Sequence, residues 1–370
     1  MRTATLFLFM ACSGWLAAQI TVTSAVFPEA GDTLLVATDF DVDEDLITAP
    51  GGDQSWDFSN LSADVLSTRL VLDPAASGND TVFTNADLVV KDDLTNGAAF
   101  FTASSDAFVQ IGVVGEDPLG IGLQFVTPYD PGEVVIRTPL NFFDQEINSY
   151  SINVQFSGEL IPDSLLAQLP VQAAIDSVRV RVQNDRVDLV DAWGNLTTPA
   201  GTFEVLRQKR ITTQEIIVEV QLPILGWFDI TNQLPIDQLG TNSSASYHFF
   251  SDTENTPIAV VYMDSLSEDS VNRVEYKAPS GTVNTRDFSQ LIELSVSPNP
   301  APGVALLRGT LPAVGYRMRV VDASGRIMVH TGLVPSAEIN ERLELSRGTY
   351  YIGVYDANGL LVGRTGLVME

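Results

Sequence analysis

The sequence predicts an all-β chain: an antiparallel, β-sandwich-like body of one or two units, followed by a small C-terminal β-sandwich. Three observations carry this. Valine, threonine, phenylalanine and isoleucine are plentiful, as in strands. The 27 glycines and 19 prolines are spread along the chain and punctuate it into short segments. Where periodicity is clear it has period two, as in "AIDSVRVRVQNDRVDLVDAWGNL", where Val178, Val180 and Val182 face one way and Arg179 and Arg181 the other.

The 370 residues suffice for two or three domains, and 45% apolar with 18% charged residues is ample for packed cores. The net charge of −27, from 47 acidic and 20 basic residues, repels phosphate backbones and anionic lipid and argues against nucleic-acid partners. It fits a solubilised extracellular protein.

The chain opens on "MRTATLFLFMACSGWLAAQ": Arg2, an apolar run from Leu6 to Leu16, then Ala17 and Ala18. This has the shape of a secretory signal peptide over residues 1–18, with Gln19 next. A rival reading makes "FMAC" a lipobox with Cys12 lipidated, against which stand the short apolar run before Cys12 and Trp15-Leu16 after it. Cys12 is the sole cysteine, so a chain cleaved after Ala18 has no disulfide, thiolate nucleophile or cysteine-based zinc site. No later apolar run approaches the length of a membrane helix, so no transmembrane segment is expected in the mature chain.

From Ile20 the text reads as strands and turns. "AGDTLLVATDF" turns at Gly31-Asp32 and then rises as a strand. Trp56 and Phe58 follow the turn cluster "APGGDQS" and share a face. "AAFFTASSDAFVQIGVV" reads as a hairpin with its loop at Ser104-Ser105-Asp106. "PDSLLAQL", Pro162–Leu169, is the one modest helix candidate, and "TTPAGTFEVLRQKR" turns at Pro199-Ala200-Gly201 into a long strand. We place one β-rich unit over 19–140 and a second over 141–283, with the division near Pro139–Asn148. The aperiodic "KAPSGTVNTRDFSQ" places a linker at 284–290. A separate unit covers 291–370.

That last unit holds two similar hairpins, "VVDASGRIM" and "VYDANGLLV", in which Gly325 and Gly359 supply the positive φ of tight turns. Gly348 precedes a strand in which Tyr350, Ile352 and Val354 share a face. The ordered set Pro298-Asn299-Pro300, Asp322 with Gly325 and Arg326, then Gly348 and Tyr350 resembles the type A C-terminal sorting domain of the type IX secretion system of Bacteroidota. The resemblance implies recognition by the outer-membrane secretion machinery, export to the cell surface or medium by way of the periplasm, and removal of the tail or its exchange for an anchor. The chain departs from the family at its end, "GRTGLVME", which lacks the usual lysines. "FPEAGDTL", "WDFS" and "WGNLTTPAGTFEVLR" resemble segments of secreted Bacteroidota proteins that carry this tail, a grouping without a settled activity.

Chemistry finds little footing in the body. "DFDVDED" offers Asp39, Asp41, Asp43 and Asp45 as calcium ligands, but an EF-hand counted from Asp39 has Glu44 where glycine belongs and Pro50 where glutamate belongs. A solvated acidic edge is the simpler expectation. Of the two histidines, His248 sits in "YHFF" and reads as a packed strand residue. No catalytic elbow, zinc motif, phosphate loop or cofactor motif appears. Trp56, Trp193 and Trp227 are candidates for stacking on surface polysaccharide, against the commoner fate of core burial. Six Asp-(Ser/Thr)-apolar triplets resemble the O-glycosylation sequon of exported Bacteroidota proteins and nominate Thr33, Thr81, Ser164, Ser177, Ser265 and Ser270. Asp-Ser and Asp-Thr also open strands without any sugar. The expected function is a non-catalytic binding or adhesion protein at the cell surface, with a carboxylate-dependent extracellular hydrolase as the alternative.

Overall fold

The structure, a computed structural model, describes residues 19–40, 42, 46–77, 81–94, 97–115, 125–160, 175–234, 239–263, 270–279, 292, 294–311, 314–322, 327–332, 334–356 and 361–369. The expected signal peptide 1–18, the helix candidate at 162–169, the expected linker 284–290, and Gly325 and Gly359 lie outside them.

The described chain is all-β, as expected. Its main sheet contains β1 (Thr33–Asp39), β2 (Gly51–Asp57), β3 (Val65–Leu72), β4 (Leu88–Asp92), β5 (Ala98–Ala103), β6 (Ala107–Val114), β7 (Val126–Arg137), β8 (Gln145–Ser157), β9 (Ser177–Thr198), β10 (Gly201–Leu222), β11 (Gly226–Asp229), β12 (Gly240–Phe250), β13 (Ala259–Met263) and β14 (Val271–Lys277). The order β10-β12-β13-β14-β1-β3-β4-β5-β6-β7-β8-β9 returns to its start because β9 pairs with β10. Twelve strands therefore close into a barrel, with β11 and β2 attached outside the ring.

This corrects the sandwich expected for the body. A sandwich keeps two open sheets, whereas here β9 and β10 pair with each other while each also pairs with a further neighbour, β8 and β12, and this joins the two ends of the strand order. Closure removes the edges that an open sheet would expose. The sheet also runs through the expected division near Pro139–Asn148: β7 pairs with β8, and β1 pairs with β14.

Alternation along β9 sorts the two faces. Val178, Val180, Val182, Asn184, Arg186, Asp188 and Val190 are buried, while the odd positions between them are partly or fully exposed. The inner face is layered. One apolar layer joins Val154, Phe156, Val178, Val180, Val218 and Val220. Another joins Val71, Phe101, Phe108, Ile136, Val190, Leu206 and Phe250 from strands around the ring. Between them lies a polar layer. On the outer wall, residues 46–63 fold over β12, β13 and β14, burying Trp56 and Phe58 against Tyr247, Phe249 and Val261. β2 holds this cover in place by pairing in parallel with β9.

The C-terminal stretch makes two smaller sheets, β15 (Ser295–Ser297), β16 (Ala305–Thr310) and β19 (Glu338–Leu343) in one, and β17 (Tyr316–Asp322), β18 (Ile327–His330), β20 (Gly348–Asp356) and β21 (Leu361–Met369) in the other. Leu307 and Ile339 from the first share one buried cluster with Met318, Val320, Ile352, Val354 and Leu367 from the second.

Candidate functional site

The polar layer inside the barrel gathers charged, amide and hydroxyl groups from six strands of the ring. Glu146, Asp188, Arg210, Ser246, Tyr262 and Arg273 stand in register across β8, β9, β10, β12, β13 and β14, so all six share one face. The charges are paired. Asp188 lies between Arg186 and Arg210, each at 2.9 Å, and Arg186 also donates to Glu133 at 2.7 Å and to the carbonyl of Val134. Arg210 reaches the carbonyl of Val135 at 2.9 Å. Further round the wall, Glu275 accepts from Arg69 at 3.1 Å, and Arg69 binds Asp92 at 3.0 Å. Arg273 lies 3.7 Å over the Tyr262 ring.

Low dielectric makes each unpaired charge costly, which explains why every arginine here faces a carboxylate. Burial, then the neighbouring Arg210, lowers the Arg186 pKa from its ordinary value. Burial and Glu133 raise that of Tyr150, and burial with Glu275 pushes Tyr262 up to about 12. His248 packs beside Phe250, with its Nε2 3.0 Å from Ser246 Oγ. Burial and the two arginines hold its pKa well below 6.5, so the ring is neutral. Three buried donors, Asn148 Nδ2, Asn184 Nδ2 and Arg186 Nε, have no protein acceptor among the described residues. Asn148 and Arg186 are direct cross-strand partners, and Asn184 is on the same face two residues along. Such a cluster of donors suits a bound water or another small acceptor.

A second buried pair lies under the outer cover. Arg207, fully buried, forks onto Asp191 at 2.8 and 2.9 Å and donates to the carbonyl of Thr48 at 2.9 Å. Its guanidinium stands over Trp56 at 5.6 Å and Tyr247 at 5.0 Å. The segments "WDFS" and "WGNLTTPAGTFEVLR" therefore meet here. Gly194 carries the closest approach, since a Cβ there would stand 2.0 Å from the Gln54 carbonyl oxygen.

The tryptophans nominated for sugar stacking are engaged otherwise. Trp56 is core, its Nε1 bonded to Thr48 Oγ1 at 2.9 Å. Trp193 lies against Gly52, and Trp227 lies under Arg179 at 4.3 Å. Asp39 is only 3% exposed and accepts the Ser62 N–H at 2.6 Å, while Asp41, Asp43 and Asp45 lie outside the described residues. No group of three metal-ligating side chains occurs among the described residues. Of the glycosylation candidates, Thr33 and Thr81 are exposed, Ser177 and Ser270 half-buried, and Ser164 and Ser265 outside the described residues.

In the C-terminal unit, Asn299 does the work of a strand residue with its side chain. Its Oδ1 accepts the Val368 N–H at 2.9 Å and its Nδ2 donates to the Gly366 carbonyl at 3.0 Å, while the Ala301 N–H reaches the Val368 carbonyl at 2.8 Å. The Pro298-Asn299-Pro300 turn is thus fastened to β21. Asp322 ends β17, Gly348 opens β20, and the Tyr350 hydroxyl donates to the Ser346 carbonyl at 2.9 Å. Gly325 and Arg326 lie outside the described residues. Sequence reasoning missed the polar layer altogether. Its signal was present as charged and amide residues at even positions of β9, in step with the valines.

No protein-family model and no curated protein matches the chain. Among solved structures, a fungal alcohol oxidase of the AA5 family in complex with copper aligns over 95% of this chain and 98% of its own, at 9% identity and a TM-score of 0.19, which carries no argument about fold or function. No helix among the described residues is long and apolar enough to cross a membrane.

Proposed function

We propose that this is an exported, non-catalytic binding protein whose C-terminal unit is a type IX secretion address and whose barrel is the cargo. The observation that carries the reading is the Asn299 clamp. It gives the Pro-Asn-Pro motif a structural task, closing the start of the unit onto its last strand, so the motif and the extreme C-terminus form one surface for the secretion machinery to read. The separate core of 292–369 supports a detachable unit.

Binding is favoured over hydrolysis because the interior carboxylates Asp188, Glu133 and Glu275 are each held by arginine. Glycoside hydrolysis needs a pair of carboxyl groups free to reach the scissile bond, and these three are engaged by guanidinium groups of the barrel wall instead. The β10–β11 hairpin offers an outward contact. Ile224, at φ +67°, and Leu225 project into solvent at its tip, with Phe228 beside them. A β-branched residue in the left-handed region is costly, and exposed apolar side chains there suit an adhesive surface.

Expression in a host with a type IX system tests the address. A chain ending at Ser289 is expected to accumulate in the periplasm, and its appearance outside intact cells at parental levels would refute the assignment. A panel of surface polysaccharides, read for both binding and cleavage, separates the binder from the carboxylate hydrolase.

A further inference from the structure

The C-terminal unit is electrically unlike the rest of the chain. Residues 291–370 carry seven arginines and seven acids, so the net charge of −27 belongs to the body. The small unit turns two of those arginines towards the barrel. On the sheet face opposite the Met318 and Val320 core, His330, Arg319, Gly353 and Arg364 stand in register across β18, β17, β20 and β21. A face away from the core is ordinarily wet, yet Arg319 is 4% exposed. What covers it is the barrel.

The Arg319 guanidinium stands 3.4 Å over the Phe40 ring and 5.4 Å from the Tyr355 ring, with Nη2 3.6 Å from Asp64 Oδ2. The receiving side is preformed. Asp64 accepts the Phe40 N–H at 3.1 Å through its Oδ2, and its own N–H is bonded to the Thr38 carbonyl at 3.0 Å. At the other end of the row, Arg364 donates to the Leu94 carbonyl at 3.1 Å. Gly353 sits between the two arginines, where a Cβ would meet the Tyr355 hydroxyl at 2.8 Å, so the glycine lets that ring lie beside Arg319. An aromatic face and a fixed carboxylate together make a receptor for a planar cation.

We infer that the barrel carries a guanidinium slot, built from Phe40 and Asp64, which the C-terminal unit occupies in cis through Arg319, with Arg364 as a second anchor. The tail is docked on its cargo, and this face of the barrel is covered for as long as the tail is attached. The inference concerns the contact alone and is independent of the export reading, which the truncation above tests by another readout.

Small-angle scattering on the full mature chain decides it. The parent is expected to scatter as one compact particle. Arg319→Glu with Arg364→Glu is expected to release the unit, giving a maximum dimension clearly larger than the parent's. Elongated parental scattering, or a charge-reversed variant that scatters like the parent, overturns the inference. Should the reversed unit lose its own cooperative melting, Phe40→Ala decides instead, because it leaves the unit's sequence intact. Opened scattering supports the slot, and a parental curve overturns it.

Discussion

At the scale of single residues, the fold depends on charges placed where water cannot reach them. Arg207 is the clearest case, because its removal strands the buried Asp191 and frees the Thr48 carbonyl under the outer cover. Arg207→Ala should destabilise the chain by about 3–5 kcal/mol, read as a lower midpoint in chemical denaturation. Adding Asp191→Leu should recover much of the loss, since the uncompensated charge then disappears. His248 sets a pH dependence of known sign. Its folded pKa lies well below 6.5, so the folded protein keeps it neutral while the unfolded chain takes up a proton below that pH. The stability it contributes is fully present above pH 6.5 and falls as pH drops, by at most about 1.4 kcal/mol per unit. His248→Gln should flatten the stability curve between pH 6.5 and about 5, before carboxylate titration dominates.

At the scale of elements, side chains extend what backbone pairing begins. β21 pairs along one edge with β20, and the Asn299 side chain supplies part of a ladder along its other edge. Asn299→Ala removes both bonds and leaves the Val368 N–H without its acceptor. The expected result is faster hydrogen exchange at Val368 and a loss of about 1–3 kcal/mol from the C-terminal unit. Unchanged exchange would show that the Asn299 side chain does not hold the turn. The hairpins at Ser104–Asp106 and Pro199–Ala200 lie where turn chemistry placed them, because tight turns are local and their residues announce them.

At the scale of the molecule, the ring closes with residues 33–277 alone. A chain ending at Ser289 should therefore keep the barrel's far-ultraviolet spectrum and cooperative melting, even though it loses the contacts of Arg319 and Arg364. Loss of cooperativity on truncation would mean that the tail is part of the barrel's fold and not a detachable unit.

The sequence by itself determined the all-β class, the faces of β9 up to Val182, the short hairpins and the separate hairpin pattern of the C-terminal stretch. Each follows from period-two alternation or from turn residues, which act over a few positions. Only the tertiary structure decided that the body is a closed barrel, because alternation is the same in a sandwich and in a ring, and closure depends on which distant strands meet. It also decided the fates of particular residues. Arg186 and Asp188 look like surface charges in the text but point inward in step with the valines, and Trp56 is a core anchor for Arg207 and not a sugar platform. Asp39 is tied to Ser62 twenty-three positions away, a partner that no spacing rule names. Pairings of this range are set by the packing of whole elements, and a linear pattern carries no record of them.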